Sequence, residues 1–159
     1  MVRLGKLTDY GLVLMTCIAR TDTAASLRNA RDLARESRLP LSTVSKLLKE
    51  LLQSGLLISH RGTKGGYVLA RDPHKISVLE IIAAIEGPMA LTECSTDVTG
   101  LCTLESDCPI KSNQQIINQA IRGVLEKVTL SDLAHPLELT PIHDAKGRVV
   151  PTIASGRVQ

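Results

Sequence analysis

With 159 residues, of which 43% are hydrophobic, the chain is long enough for one compact domain with an aliphatic core, or for one domain with an extension. The sequence contains no Phe and no Trp. This composition disfavours a protein that binds single-stranded nucleic acid by stacking bases on aromatic side chains. The net charge of +3 hides an asymmetry, because residues 1–75 carry thirteen Lys and Arg against six Asp and Glu. Such a basic half suits either a polyanionic partner or ordinary solvated faces.

Three amphipathic segments predict three helices in the first half. Apolar residues recur at the helical period over 7–20, where Thr8 is expected to act as the cap, and a shorter helix covers about 30–36. Residues 42–54 carry the clearest apolar stripe, and Pro40 separates this third helix from the second.

Two short apolar runs, 56–59 and 67–70, flank a glycine-rich segment and predict a β-hairpin with a basic tip. Two helices joined by a tight turn and followed by such a ribbon are typical of a winged helix-turn-helix, although an ordinary hairpin with a solvated turn fits the same pattern. A mononucleotide-binding loop is disfavoured, because the hairpin tip lacks the GK[ST] ending and no helix follows it. The fold class is therefore mainly α with a small β wing.

The third helix would enter the major groove of duplex DNA. Small or long polar side chains lie opposite its apolar stripe, where they can reach base edges and phosphates. Basic residues near the second helix and at the hairpin tip would contact phosphates or a narrow minor groove. The predicted DNA-binding residues are Arg28, Ser42, Thr43, Ser45, Lys46, Lys49, Arg61 and Lys64.

Two more helices are predicted in the second half. Ser77 and Glu80 have the spacing of a capping box, and the helix that they open ends before Gly87. Residues 110–128 form a long helix with a broad apolar face, which either packs on its own domain or, as we expect, on a second subunit in a homodimer. Beyond it, the periodic pattern fades among prolines and glycines, so 135–159 are expected to be a flexible tail.

The segment between these helices contains three of the four cysteines. No apolar run is long enough to span a membrane and no segment resembles a signal peptide, so we expect a cytoplasmic protein, in which clustered thiols act as ligands or redox groups. Cys94, Cys102 and Cys108 are separated by seven and five residues, and Pro109 follows the last. This spacing suits an iron–sulfur cluster, while zinc binding, thiol redox sensing and incidental cysteines remain alternatives. Cys17 is expected to be a packing residue.

A cluster needs a fourth ligand, and the sequence offers no histidine just after Cys108. Asp9, near the start of the first helix, is the candidate, supplied either by the same subunit or by the other one. A carboxylate in the first turn of a helix is also favoured by the helix dipole alone.

Taken together, these motifs resemble the Rrf family of winged-helix regulators, over roughly residues 1–134. The resemblance is carried by Leu7-Thr8-Asp9-Tyr10-Gly11, Leu39-Pro40, Gly55-Leu56, Arg61-Gly62, Gly65-Gly66-Tyr67, the 77–86 helix and the three-cysteine loop. Leu91-Thr92-Glu93-Cys94 and the 129–134 stretch look like the branch that regulates SUF cluster-assembly operons.

The resemblance implies a homodimer that binds operator DNA and carries a cluster on Cys94, Cys102 and Cys108. IscR-like members have a His where this chain has Lys111, whereas NsrR-like members complete the shell with an Asp at the place of Asp9. The cluster type stays open between 2Fe-2S, which we favour, and 4Fe-4S.

The sequence analysis therefore predicts a cluster-dependent repressor of SUF-type genes and not an enzyme. The alternatives are a thiol- or zinc-based redox or nitric oxide sensor of the same fold, and an electron-transfer cluster protein. The expected divisions are 1–75 for DNA binding, 76–134 for the cluster loop and dimerisation helix, and 135–159 for the tail.

Overall fold

The computed structural model describes residues 4–20, 27–62, 65–96, 98, 100–104, 106–135, 139–143 and 149–153. The elements in chain order are α1 (Lys6–Ala19), α2 (Ala30–Ser37), α3 (Leu41–Gln53), β1 (Leu57–His60), β2 (Gly66–Leu69), α4 (Val78–Glu86), α5 (Lys111–Lys127), α6 (Leu130–Ala134), β3 (Leu139–His143) and β4 (Val149–Ile153). The predicted fold class, mainly helical with a small β-hairpin wing, is confirmed.

One aliphatic core joins most of these elements. The apolar stripe of α3 is buried as predicted, and it packs in one cluster with residues of α1, α4 and α6. The fully covered members of this cluster are Leu14, Met15, Leu33, Val44, Leu47, Leu48, Leu51, Ile76, Ile81 and Leu130. Because Ile76, Ile81 and Leu130 belong to it, α4 and α6 share the core of the winged helix.

The wing is an antiparallel hairpin in which Leu57 pairs with Leu69 and His60 with Gly66. The backbone of Arg28 forms an isolated antiparallel bridge to β2, since its N–H donates to the Tyr67 carbonyl at 3.1 Å and its carbonyl accepts from the Tyr67 N–H at 2.9 Å. This approach needs a glycine next to Tyr67, because a Cβ on Gly66 would lie 2.7 Å from the Arg28 carbonyl oxygen.

The predicted capping box at the start of α4 is confirmed. The Ser77 hydroxyl accepts from the Glu80 N–H at 3.1 Å, and the Glu80 carboxylate accepts from the Ser77 N–H at 2.9 Å. Partial burial disfavours the charged carboxylate, but the hydrogen bonds from Ser77 and Arg71 outweigh it and lower the pKa of Glu80.

The start of α1 differs from the prediction that Thr8 acts as its cap. The N-cap residue is Gly5, and Thr8 is a buried residue of the first turn. Both are held by the last residue of α4, because the Glu86 carboxylate accepts from the Gly5 N–H at 2.7 Å and from the Thr8 hydroxyl at 2.5 Å. A tertiary carboxylate thus satisfies the helix terminus in place of a local side chain.

A second hairpin lies within the region that was expected to be a tail. β3 and β4 pair antiparallel, with Leu139 opposite Ile153 and Pro141 opposite Pro151. Residues 135–159 were expected to be a flexible tail, and 139–143 and 149–153 within them form paired strands. Two prolines can oppose each other only at a pair that needs no N–H donor, which is why a proline-rich stretch can still form this ladder.

Replacing Glu86 should loosen the junction between α1 and α4. Glu86→Ala removes both hydrogen bonds at the α1 terminus, so we expect a loss of about 1–2 kcal/mol in the free energy of unfolding, the size of a lost cap. Glu86→Gln keeps a carbonyl acceptor and should lose less. Chemical denaturation of both variants checks this, and equal stability of Glu86→Ala and the unsubstituted protein would contradict the assigned role.

Candidate nucleic-acid interface and metal centre

The third helix presents a polar face opposite its buried stripe. Ser42, Ser45, Lys46 and Lys49 are exposed on α3, and Thr43 is half-buried. The helix period separates these residues from Val44, Leu47, Leu48 and Leu51, which are fixed in the core. The face is therefore held in one orientation relative to the rest of the chain, as a groove-reading helix requires.

Lys46 is only loosely restrained on this face. Its Nζ lies 3.9 Å from Glu50 Oε1, and its side chain is 63% exposed. The distance is long for an ion pair, so the Lys46 ammonium is weakly held, whereas Glu50 is only 26% exposed and its Oε2 is buried without a hydrogen-bond partner.

The turn before α3 has an unusual backbone. Arg38 adopts the left-handed conformation, with φ 56° and ψ 31°. Among the residues that the structure describes, it is the only one other than glycine with a positive φ. Its position ends α2 and lets the chain turn sharply before Pro40 opens α3. This is the tight connection that the helix-turn-helix prediction calls for.

The basic residues predicted to contact DNA phosphates differ in exposure and in ion pairing. Arg61 is exposed at the tip of the wing, whereas Lys64 lies outside the described residues. The Arg28 guanidinium forms an ion pair with Glu36, and its side chain is only 15% exposed. Arg28 is thus already neutralised and mostly covered, which makes it a poorer phosphate ligand than Lys46 or Arg61.

The first cysteine of the loop lies beside α5. Cys94 belongs to a 3-10 turn, Glu93–Ser95, and its Sγ is 3.3 Å from the Thr92 hydroxyl. A cleft of about 270 Å³ adjoins it. The cleft is lined by Cys94, Ser95, Thr96, Gln115, Asn118 and Gln119.

The other two cysteines lie nearer the start of α5. Cys102 lines a separate cleft of about 420 Å³ together with Gly100, Thr103, Ser106 and Lys111. The Cys108 carbonyl accepts from the Lys111 N–H at 3.3 Å, which fixes Cys108 just before the helix. All three thiols are free and half-buried.

The donor chemistry fits an iron–sulfur cluster, since three thiols lie in one short segment. Among the residues that the structure describes, however, no three His, Cys, Asp or Glu side chains come together as a ready metal site. Asp9 is exposed in the first turn of α1 and belongs to no such group within the described chain. The sequence therefore predicts the donors, and their assembly would require the segment to close.

Cys17 has a different environment from the loop cysteines. Burial raises the pKa of its thiol, against the opposing effect of the Arg20 and Arg28 charges. A thiol that stays protonated is a poor ligand and nucleophile, which agrees with a packing role.

The face of α5 that meets the cysteine segment is polar, and sequence reasoning missed it. Asn118 Oδ1 accepts from the Leu91 N–H at 3.1 Å, and Arg122 Nη1 donates to the Met89 carbonyl at 2.9 Å. These residues are four positions apart on one helix face, and that spacing was the available signal.

Three large apolar residues of α5 are exposed in the single chain. Ile116 is 64% exposed, Ile117 48% and Val124 54%. In the single chain, α5 buries an asparagine and exposes isoleucines, the reverse of the usual pattern for an amphipathic helix on a protein surface.

In the described part of the chain, no helix has both the length and the apolar character needed to cross a membrane.

Comparisons with known proteins agree on one family. Residues 4–136 match the Rrf2 family, described as an iron-dependent transcriptional regulator. The regulator NsrR of Shouchella clausii is 30% identical over 132 residues, covering 83% of this chain and 88% of that relative. The regulator CymR of Bacillus subtilis is 32% identical over 126 residues, covering 79% and 84%.

Solved structures agree as well. The structure of CymR, the global cysteine regulator of B. subtilis, superposes with a TM-score of 0.66 at 28% identity, covering 84% of this chain and 97% of that one. The IscR of T. potens gives a TM-score of 0.63 at 26% identity, covering 83% and 85%.

The exposed cations of α3 and the wing can be tested by salt dependence. Lys46→Ala and Arg61→Ala should each weaken binding to duplex DNA and reduce the slope of log affinity against log salt by about one, because each removes one phosphate contact. Lys75→Ala, which removes an exposed charge outside α3 and the wing, is the matched control. Titrations at several salt concentrations measure the slopes, and slopes unchanged in all three variants would exclude the assigned face.

Proposed function

This chain belongs to the Rrf2 family of transcriptional regulators, and from that premise we propose that it is a homodimeric repressor whose operator affinity depends on an iron–sulfur cluster. As a member of this family it is a DNA-binding transcription regulator, and its relatives are regulators rather than enzymes. The observation that carries the proposal is the confinement of three half-buried free thiols to the segment that joins α4 to α5.

The cluster would be held by Cys94, Cys102 and Cys108, with Asp9 as the fourth ligand. When bound, it supplies a redox- and nitric oxide-reactive iron centre whose gain or loss changes the order of the segment. Closing the segment would bring Cys102 and Cys108 towards Cys94, and Asp9 could come from either subunit. We favour the 2Fe-2S form over 4Fe-4S.

DNA would be read by α3 and the wing. Ser42, Thr43 and Ser45 would approach the bases, while Lys46, Lys49, Arg61 and Lys64 would contact the backbone. Arg28 contributes less, since Glu36 already neutralises it. We assign 1–75 to DNA binding and 76–134 to sensing and dimerisation, two roles within one shared core.

The regulated genes would be those of SUF-type cluster assembly. The support is the sequence of the stretch from Leu91 to Cys94 and of 129–134, which resembles that branch of the family. Cluster loss would relieve repression, so that assembly genes are expressed when clusters are scarce.

The subunits would meet along the exposed apolar face of α5. Leaving Ile116, Ile117 and Val124 in water is unfavourable by about 25 cal/mol per Å² of apolar surface, so a second copy of the same helix is the natural cover. A two-fold axis would place the same patch on both subunits.

A second function is favoured by two observations. The Thr92 hydroxyl contacts the Cys94 thiol, and the solved relative CymR is a cysteine regulator, so a thiol-based sensor without a cluster is the rival. Iron and sulfide content distinguish the two.

Replacing a loop cysteine should abolish the cluster. Cys94→Ala, Cys102→Ala and Cys108→Ala are each expected to lose the visible absorbance and most of the iron of anaerobically purified protein, because each removes a thiolate ligand. Cys17→Ala is the matched control and should keep both. Iron-free, colourless protein that still changes its DNA affinity on thiol oxidation would establish the rival function.

Charging the apolar face of α5 should separate the subunits. Val124→Glu places a carboxylate in the proposed interface and should raise the dimer dissociation constant at least about tenfold, since an unpaired buried charge costs several kcal/mol. Gln119→Glu adds the same charge to an exposed position off this face. Sedimentation equilibrium measures both variants, and a Val124→Glu protein that remains dimeric would rule out this interface.

A further inference from the structure

The contact between α5 and the cysteine segment is made by polar side chains. Within 111–127, all of which is described, Asn118 is the one fully buried residue, at 5% exposure. Arg122 and Gln115 lie on the same side of the helix, one turn on either side of Asn118. Towards the cysteine segment the helix therefore presents an amide and a guanidinium, whereas nearer its end Leu125 packs with Val78, Ile82 and Val128.

The partners of these side chains are backbone atoms of the segment that leads into Cys94. The Leu91 N–H donates to Asn118, and Arg122 donates to the Met89 carbonyl. Gln115 Nε2 lies 3.5 Å from the carbonyl of Cys94 itself. The main chain of residues 89–94 is thus bound to α5 through backbone atoms, and these contacts do not involve the side chains of 89–94.

Such bonds respond to small displacements. A hydrogen bond weakens steeply when its angle falls below about 120°, whereas an apolar contact tolerates sliding. A change at the Cys94 thiol that moves its backbone must either drag α5 or break these bonds. Either result alters how α5 sits against the body of its own subunit.

We propose that Asn118 and Arg122 are positioning residues that transmit the state of Cys94 to α5, and through α5 to the spacing of the two DNA-reading units. This inference rests on the proposed function, because it takes the cysteine segment as the sensor and α5 as the subunit contact. Neither residue is a ligand or a DNA contact in this scheme.

The test compares Arg122→Met with Arg122→Lys in the full-length protein. Methionine keeps the apolar stem but removes the donor to Met89, whereas lysine restores a donor. In cluster-free protein, amide hydrogen exchange in 89–94 should become about threefold to tenfold faster in Arg122→Met, the effect of one lost hydrogen bond, and should return towards the original rate in Arg122→Lys.

The second readout is the ratio of operator affinities with and without the cluster. It should fall about threefold to tenfold in Arg122→Met while iron content and visible spectrum stay unchanged, and it should recover in Arg122→Lys. A variant that weakens operator binding equally in both states has a merely structural defect and overturns the proposal.

A second pair of variants covers the case in which Arg122→Met fails to fold. Asn118→Asp keeps an acceptor for the Leu91 N–H, and Asn118→Leu removes it, so only the second should release the segment. Unchanged exchange of 89–94 in the released variants overturns the tether directly. If the unsubstituted protein shows equal operator affinity with and without cluster, the proposed function fails, a result that the exchange experiment does not depend on.

Discussion

The aliphatic core shared by α1, α3, α4 and α6 is the constraint on which the other features depend. Leu47 and Leu48 of α3 are fully buried with Leu14 of α1 and Ile81 of α4. Because protein interiors are packed to crystalline density, α3 cannot rotate its polar face without moving its neighbours. The helix that we propose reads DNA and the helix that leads into the cysteine segment are therefore parts of one packed unit, and any regulation has to act on the unit as a whole.

Two contacts fix where the cysteine segment begins. A Cβ on Gly11 would lie 2.1 Å from Ile85 Cδ1, so α1 and α4 approach each other as closely as glycine allows. At the end of α4, the Glu86 carboxylate holds the first turn of α1. The segment thus departs from a fixed anchor and returns to the chain at α5. Under the proposed function, a change of order within it would act on α5, to which Met89 and Leu91 are hydrogen-bonded.

Features with a short sequence period could be predicted, and features with distant partners could not. The apolar stripe of Val44, Leu47 and Leu51 predicts helix α3, and the spacing of the cysteines predicts a set of thiol ligands for a metal. The role of Thr8 was predicted wrongly because its partner Glu86 is 78 positions away. Arg122 was overlooked because its partner is a backbone carbonyl 33 positions earlier, and its four-residue spacing from Asn118 indicates a shared helix face but not that partner. Thiol spacing also does not indicate how the segment between α4 and α5 folds.

The two faces of α5 differ in how strongly they can hold. On one side a few hydrogen bonds join α5 to 89–94, each contributing about 0.5–1.5 kcal/mol net. On the other side, full burial of each Ile or Val contributes about 1.5–3 kcal/mol. In a dimer built on the apolar face, α5 therefore stays with its partner helix when the segment changes. The packed unit carrying α3 and the wing stays joined to the end of α5, where Leu125 and Val128 pack with Val78. Under the proposed function, a change at the thiols would shift this unit about that end and so move the proposed DNA-reading face.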